Sequence, residues 1–223
     1  MTFALRLGEE VPDFTCNTTQ GTFRFHEFIK RDSDRMPFTV LMSHPHDFTP
    51  VCTTELGRAE SLFQDFKRRG VKLIGLSCDS LESHKEWTKD ILYREKKEDQ
   101  DALSYPVIAD ESREIATGMG MLDPRTATQG SQAAPARALI VIDKECKVRL
   151  AILYPASTGR SFDEVFRVLD SLNIVEAYSV ATPVDWKPGD RVIVPPNVPS
   201  SKFKDVQAEK LPSGKEYLRF TGL

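Results

Sequence analysis

The sequence lacks several things that would have assigned it quickly. No apolar run approaches the ~20 residues of a membrane span. No Cys-x-x-Cys pair occurs, and no Cys/His cluster has zinc-ligand spacing. Basic residues are not in excess: 30 Lys and Arg face 33 Asp and Glu, a net charge of −3, so no basic surface argues for nucleic acid. There is no internal repeat and no low-complexity tract. Met1 to Glu10 shows no charged-then-apolar signal pattern, so the expected location is a reducing compartment, the cytoplasm. Cysteines number four, Cys16, Cys52, Cys78 and Cys146, and the expectation in such a compartment is four reduced thiols. What remains is 223 residues, 40% hydrophobic and 28% charged, an ordinary globular composition.

Against that background one segment stands out. Residues 44 to 57 read His-Pro-His-Asp-Phe-Thr-Pro-Val-Cys-Thr-Thr-Glu-Leu-Gly. They run off the hydrophobic stretch Phe38 to Met42, pass Pro45 and Pro50, and put Cys52 where a helix begins. A thiol in a helix's first turn sits among free backbone N–H groups at the positive end of the dipole, which favours thiolate over thiol. Thr49, three residues upstream, can turn its hydroxyl to the same pocket. A lone cysteine on an apolar helix face is usually core, but a core cysteine needs neither prolines nor threonine there.

The rest of the chain alternates strand and helix. Thr22 to Phe25, Phe38 to Met42, Val71 to Ser77 and Pro106 to Ala109 read as strands. Helices are expected over Pro50 to Arg69, where Cys52, Leu56, Ala59, Phe63 and Phe66 share a face, and over Ser83 to Tyr93 and Ser112 to Gly118. Arg137 to Ile142 and Lys147 to Tyr154 form a hairpin around Asp143-Lys-Glu, followed by an amphipathic helix from Phe162 to Leu172. The order β-α-β-α-β-β-α makes an α/β protein with a mixed central sheet and helices on both faces, a thioredoxin-like fold. After Asn173 the composition changes, with six of 14 prolines between Pro183 and Pro212. The expected domains are residues 1–173 and a small C-terminal extension, residues 174–223, with short strands at Arg191 to Val194 and Glu216 to Phe220. The extension is too short for a large core and is expected to pack on the first domain or on a partner subunit.

Pro45-x-x-x-Thr49-x-x-Cys52 resembles the active-site motif of peroxiredoxins. Ser43 to Leu56 is similar to the one-cysteine, peroxiredoxin 6-like group, as are Leu153-Tyr-Pro-Ala-Ser-Thr-Gly-Arg160, Val180 to Asp190 and Leu211 to Arg219. The resemblance implies a thiol peroxidase that reduces hydrogen peroxide and organic hydroperoxides through a Cys52 sulfenic acid. It implies Arg137 at the pocket base beside Cys52, Arg160 as a second arginine, and His44 as a pocket residue; Glu55 can orient an arginine and Pro45 shield the sulfur. On its own, Arg137 heading an apolar strand reads as a surface ion pair. His46 reads as a solvated loop residue and His84 as a helix-surface residue.

No cysteine follows Cys146, where two-cysteine relatives commonly keep a resolving thiol. Cys78 reads as a buried core thiol, and Cys16 and Cys146 as lying near turns. The expected cycle is therefore one-cysteine, with no cofactor and no metal but an external thiol reductant, by resemblance glutathione, delivered directly or by a glutathione transferase. By resemblance too, the chain is expected to be a homodimer. Some relatives resemble phospholipases A2. Here Ser33, in Arg31-Asp-Ser-Asp-Arg35, lacks both glycines of a nucleophile elbow, so it reads as a loop serine, His26 and Asp143 notwithstanding. A holdase or structural oligomer is the alternative from another class, though no exposed apolar stripe asks for it.

Overall fold

The computed structural model describes residues 6–223. The chain divides into two compact units, one ending at Arg160 and the other Ser161–Leu223. Half of the Met1 to Glu10 segment read for a signal therefore lies outside the described residues.

The first unit holds seven strands in one mixed sheet. They are β1 (Thr15–Thr18), β2 (Gly21–Arg24), β3 (Phe38–Ser43), β4 (Val71–Ser77), β5 (Val107–Ala109), β6 (Arg137–Asp143) and β7 (Val148–Tyr154), ordered β2-β1-β5-β4-β3-β6-β7. Strands β3, β4 and β5 are parallel, while β6 runs antiparallel to β3. Every residue of β3, β4 and β6 is buried, which explains why their sequences are continuous apolar runs rather than alternating ones. Five helices accompany the sheet: α1 (Phe25–Lys30), α2 (Pro50–Ser61), α3 (Phe63–Arg68), α4 (Leu81–Arg94) and α5 (Glu114–Gly118). This is the thioredoxin-like α/β arrangement expected from the element order. The core includes Leu41, Ile74, Leu76, Ile108, Ala138 and Ile140 from the central strands, all almost fully buried.

In the first unit, the long helix and strand β1 differ from expectation. The helix expected over Pro50 to Arg69 breaks at Leu62, whose φ/ψ of −94°/5° leaves the α region, and Asp65 N donates to Leu62 O in a tighter turn. Strand β1 was not anticipated. Its polar sequence, Thr-Cys-Asn-Thr, buries only Cys16 and Thr18, and the tight turn to β2 is closed by Gly21 at φ +102°.

The second unit contains α6 (Phe162–Tyr178) and a small sheet of β8 (Val192–Ile193), β9 (Gln207–Ala208) and β10 (Arg219–Thr221), ordered β8-β10-β9. Val180, Trp186 and Val192 form its small core, with Ile174 and Phe203 packed against them. Helix α6 runs five residues past the boundary at Asn173, its last turn ending at Ser179 in the left-handed region.

Candidate active site

The sheet register brings the site together. Met42 on β3 pairs with Leu139 on β6, so the chain leaving β3 at His44 runs back alongside the start of β6 at Arg137. Ser43 locks this crossing, since its Oγ donates to Ala136 O at 2.7 Å and accepts from Ala138 N at 3.1 Å. The loop 44–49 turns through Phe48, at φ +52°, and enters α2 with Thr49 at the N-cap and Pro50 in the first turn.

Cys52 lies in that first turn, wholly buried, and faces inward with Glu55, Leu56 and Ala59. Glu55 follows it by three residues and so shares its helix face. Arg137 Nη1 donates to both, to Cys52 Sγ at 3.2 Å and to Glu55 Oε2 at 2.7 Å. The other edge of its guanidinium donates to Ala156 O from Nε at 2.9 Å and from Nη2 at 2.6 Å. Arg160 approaches Glu55 from the opposite side. Its backbone N donates to Oε1 and its Nη1 to Oε2, each at 2.7 Å. Its Nη2 donates to Ala138 O at 2.8 Å and to Ser43 O. Burial, only partly offset by Glu55, lowers the Arg160 guanidinium from its usual value, but an arginine keeps its charge at neutral pH.

The charge balance follows directly. Two guanidinium groups and one carboxylate, all nearly fully buried, sum to +1. The Cys52 sulfur is in hydrogen-bond contact with that excess, through Arg137 Nη1. The surface-pair reading of Arg137 is therefore replaced: the group is 3% exposed and aimed at a sulfur.

The remaining residues of the motif surround this core. Pro45 is buried and Thr49 half-buried. The Thr49 hydroxyl donates to His46 O at 2.9 Å, so its lone pairs remain to accept a hydrogen bond. His44 is completely buried, and burial holds its ring well below its ordinary pKa despite the nearby Asp47 carboxylate. His46 is half exposed and 3.6 Å from Asp79. His84 corrects the helix-surface expectation: it is 1% exposed, with Nδ1 2.7 Å from Asp47 Oδ2. The signal was in the sequence, because His84 opens the inward stripe continued by Trp87, Thr88, Ile91 and Leu92. Asp47 carried no such signal. Among the described residues, His44, Asp47 and His84 are the cluster with a metal-like donor set, but those ligand atoms are engaged with one another.

The other thiols sit in different surroundings. All four cysteines are free. Burial pushes Cys16 up to about 12 and Cys78 up to about 11, and raises Cys146 as well, so these three stay protonated at neutral pH. Cys78 is half-buried rather than fully in the core, and Cys146 occupies the β6–β7 turn at φ +61°. Asp143 takes its hydrogen bonds from Glu145 N, Lys147 N and Arg149, as a hairpin-turn residue does. His26 Nε2 lies 2.8 Å from Val11 O.

A buried cysteine at a helix start, bound by an arginine whose carboxylate partner lies one turn along, on a thioredoxin-like sheet, defines the class: a thiol-dependent peroxidase. The chain belongs to the AhpC/TSA family, which residues 7–151 match, and residues 171–206 match the C-terminal domain of 1-Cys peroxiredoxin. It is 48% identical to peroxiredoxin-6 of Sus scrofa over 222 residues, covering 97% of each chain. It is 47% identical to the 1-Cys peroxiredoxin of Dirofilaria immitis, covering 98% of this chain and 97% of the relative. Among solved structures, a cysteine-to-serine variant of peroxiredoxin 6 from Arenicola marina superposes with a TM-score of 0.90 at 45% identity, covering 97% of each chain. A yeast mitochondrial 1-Cys peroxiredoxin, described for thiol resolution via glutathione/thioredoxin systems, superposes with 0.82 at 35% identity, covering 98% of this chain and all of the other.

Proposed function

We propose that Cys52 is the nucleophile of a one-cysteine peroxidase cycle. The observation that carries this is the buried +1 charge of Arg137, Arg160 and Glu55, which a Cys52 thiolate neutralises. The thiolate attacks one peroxide oxygen, and the other leaves as water or alcohol. Arg137 holds the sulfur and the incoming oxygen together, and Thr49 accepts a hydrogen bond from the peroxide. Glu55 and Arg160 act through Arg137 by fixing its plane. Pro45 and His44 close the pocket against bulk water.

The sulfenic acid is then reduced by an external thiol. Glutathione is the proposed reductant, directly or from a glutathione transferase, supported by the systems named for the yeast relative. A tripeptide cannot touch a wholly buried sulfur, so reduction requires the first turn of α2 to open. The working form is a homodimer in the cytoplasm. Strand β7 supports the dimer: it ends the sheet, its outer edge is bonded to Gly8 and Glu9 at Val148, and Leu153, further along it, is 60% exposed. The family match ending at residue 151 and the C-terminal match starting at 171 support a functional boundary near 173, with the extension of residues 174–223 associated with the dimer. Ser33 and Asp143 serve as turn residues, not as a lipase pair.

The test is peroxide consumption by Cys52→Ser with excess thiol, together with mass spectrometry of wild type oxidised without reductant. We expect no activity from the variant and sulfinic acid on Cys52 in the wild type. Wild-type turnover by the variant, or an intramolecular disulfide as main product, overturns the proposal.

A further inference from the structure

An aspartate outside the site described above grips the loop that carries Thr49. The parallel ladder of β3 and β4 runs to its end, where His44 N donates to Leu76 O at 2.9 Å. The two chains leave the sheet together, one as the loop 44–49 and the other through Cys78 and Asp79. There Asp79 Oδ2 accepts from Asp47 N at 3.0 Å and from Ser77 Oγ at 2.6 Å. Ser77 Oγ accepts in turn from Asp79 N at 3.1 Å, so the carboxylate is itself held in place. Its other oxygen, Oδ1, lies 3.6 Å from Nδ1 of the half-exposed His46.

The N–H that Asp79 takes belongs to one particular peptide, the one joining His46 to Asp47. The carbonyl of that same peptide, His46 O, accepts from the Thr49 hydroxyl at 2.9 Å. A trans peptide is planar, with its N–H and C=O pointing in opposite directions, so fixing one end fixes the other. Asp79 at one end therefore sets where the Thr49 hydrogen goes at the other. A hydroxyl has one hydrogen and two acceptor lone pairs. With the hydrogen committed to His46 O, only lone pairs are left for the O–H of a peroxide.

Anchoring the loop does not by itself call for this arrangement. The Asp47 side chain is already tied into the interior, with His44, His84 and Ser83 around its carboxylate. Those bonds hold the side chain but leave the preceding peptide free to rotate between its two Cα atoms. The Thr49 backbone is held from the helix side, since Thr53 N and Thr53 Oγ1 donate to Thr49 O at 3.0 and 2.8 Å. What remains to be set is the Thr49 hydroxyl, and the peptide that Asp79 grips sets it. Between the two stands Phe48 at φ +52°, a left-handed conformation that a bulky residue keeps only where its surroundings hold it.

We propose that Asp79 is a positioning residue for peroxide reduction: through the His46–Asp47 peptide it holds the Thr49 hydroxyl as a hydrogen-bond acceptor for the substrate. This rests on the role of Thr49 beside Cys52 proposed above. Without the Asp79 oxygen the peptide rotates, His46 O leaves the hydroxyl, and Thr49 turns its hydrogen toward the pocket for part of the time. In that orientation it no longer accepts the hydrogen of the peroxide. The effect falls on oxidation of Cys52 and not on the later reduction of its sulfenic acid.

The experiment is a double-mutant cycle on the full, reduced chain, read as the rate of Cys52 oxidation by hydrogen peroxide. We expect Asp79→Ala to slow oxidation about tenfold, the worth of one aimed hydrogen bond. Asp79→Asn keeps a carbonyl oxygen for Asp47 N and should stay within about twofold of wild type. Thr49→Val has no hydroxyl to aim, so adding Asp79→Ala to it should change its rate by less than about twofold, whereas a merely structural role slows both backgrounds alike. The proposal is overturned if Asp79→Ala oxidises at the wild-type rate, if Asp79→Asn is as slow as Asp79→Ala, or if Asp79→Ala slows Thr49→Val as much as it slows wild type. Should Asp79→Ala not fold, Asp79→Glu, which keeps the charge but displaces the oxygen from Asp47 N, replaces it in the cycle on the same terms. Thr49→Val at the wild-type rate overturns the role of Thr49 and this proposal with it, and failure of Cys52 as nucleophile is seen separately, as sulfenic acid on another residue.

Discussion

Replacing Glu55 by glutamine tests the charge balance of the site. The carboxylate receives three donors, Arg137 Nη1, Arg160 Nη1 and Arg160 N, all at 2.7 Å. Glutamine has nearly the same shape but no charge and turns an N–H toward a guanidinium. The buried cations then total +2 before the thiolate is counted. Breaking a buried ion pair from one side costs about 3–5 kcal/mol. At about 2–4 °C per kcal/mol for a chain of this size, the melting temperature should fall by about 6–20 °C. Arg137 would also lose the contact that fixes the nitrogen it shares with Cys52, and losing one aimed donor slows such reactions by about 10²–10³. Adding Arg160→Met removes a positive charge along with the negative one and restores the total to +1. The double variant should therefore be more stable than Glu55→Gln alone, a non-additive result. Thermal unfolding and stopped-flow peroxide reduction measure both effects. A single variant within 1 kcal/mol of wild type and twofold of its rate, or a double variant less stable than the single, would refute the reasoning.

Three further expectations concern other parts of the molecule. Cys16 and Cys78 have folded pKa values near 12 and 11, above the about 8.5 of an unfolded thiol. Between those values the unfolded state has lost protons the folded state keeps, so the two thiols' contribution to stability should be flat below about pH 8.5 and fall above it by up to about 1.4 kcal/mol per pH unit per thiol; Cys16→Ala should make the slope above about pH 8.5 less negative in denaturant titrations, and an unchanged slope counts against the assignment. Reduction of the Cys52 sulfenic acid should reach a plateau as glutathione is raised, because opening of α2 then limits the rate; a strictly linear dependence would mean the sulfur is reached without opening. Leu153→Glu on the edge strand β7 should shift the chain from dimer to monomer by light scattering, with the fold retained by circular dichroism, whereas an unchanged dimer would place the interface elsewhere.

The sequence was most legible where burial and period act together. Strands β3, β4 and β6 read as buried because no polar residue interrupts their apolar centres for long, and α4 because its apolar residues recur every three or four. The break at Leu62 was hidden because a tighter turn keeps Phe63 and Phe66 on nearly the same face as Ala59, so periodicity hardly changes. Strand β9, Gln207–Ala208, was missed because it is two exposed residues long and buries nothing that could leave a pattern. In the site, the resemblance pointed to Arg137, but spacing alone could not tell a surface arginine from a buried one. The β3–β6 register decided it, by setting the start of β6 against the exit of β3. The contact between Asp47 and His84 was out of reach for a related reason: they are 37 residues apart, and only the parallel pairing of β3 with β4 brings their segments together, although the inward stripe of α4 already included His84.

The two buried clusters answer the same constraint in opposite ways. Around Asp47 the carboxylate oxygens find His44, His84 and Ser83 within the cluster itself. Around Glu55 the protein's permanent charges do not cancel, since two arginines share one carboxylate. A low-dielectric interior makes such an excess costly, and the group touching it is a thiol able to give up a proton. The fold thus holds one place that favours a new negative charge, at the sulfur that Arg137 touches. Glu55→Gln perturbs that balance, so its effect on Cys52 oxidation should come through loss of arginine aim.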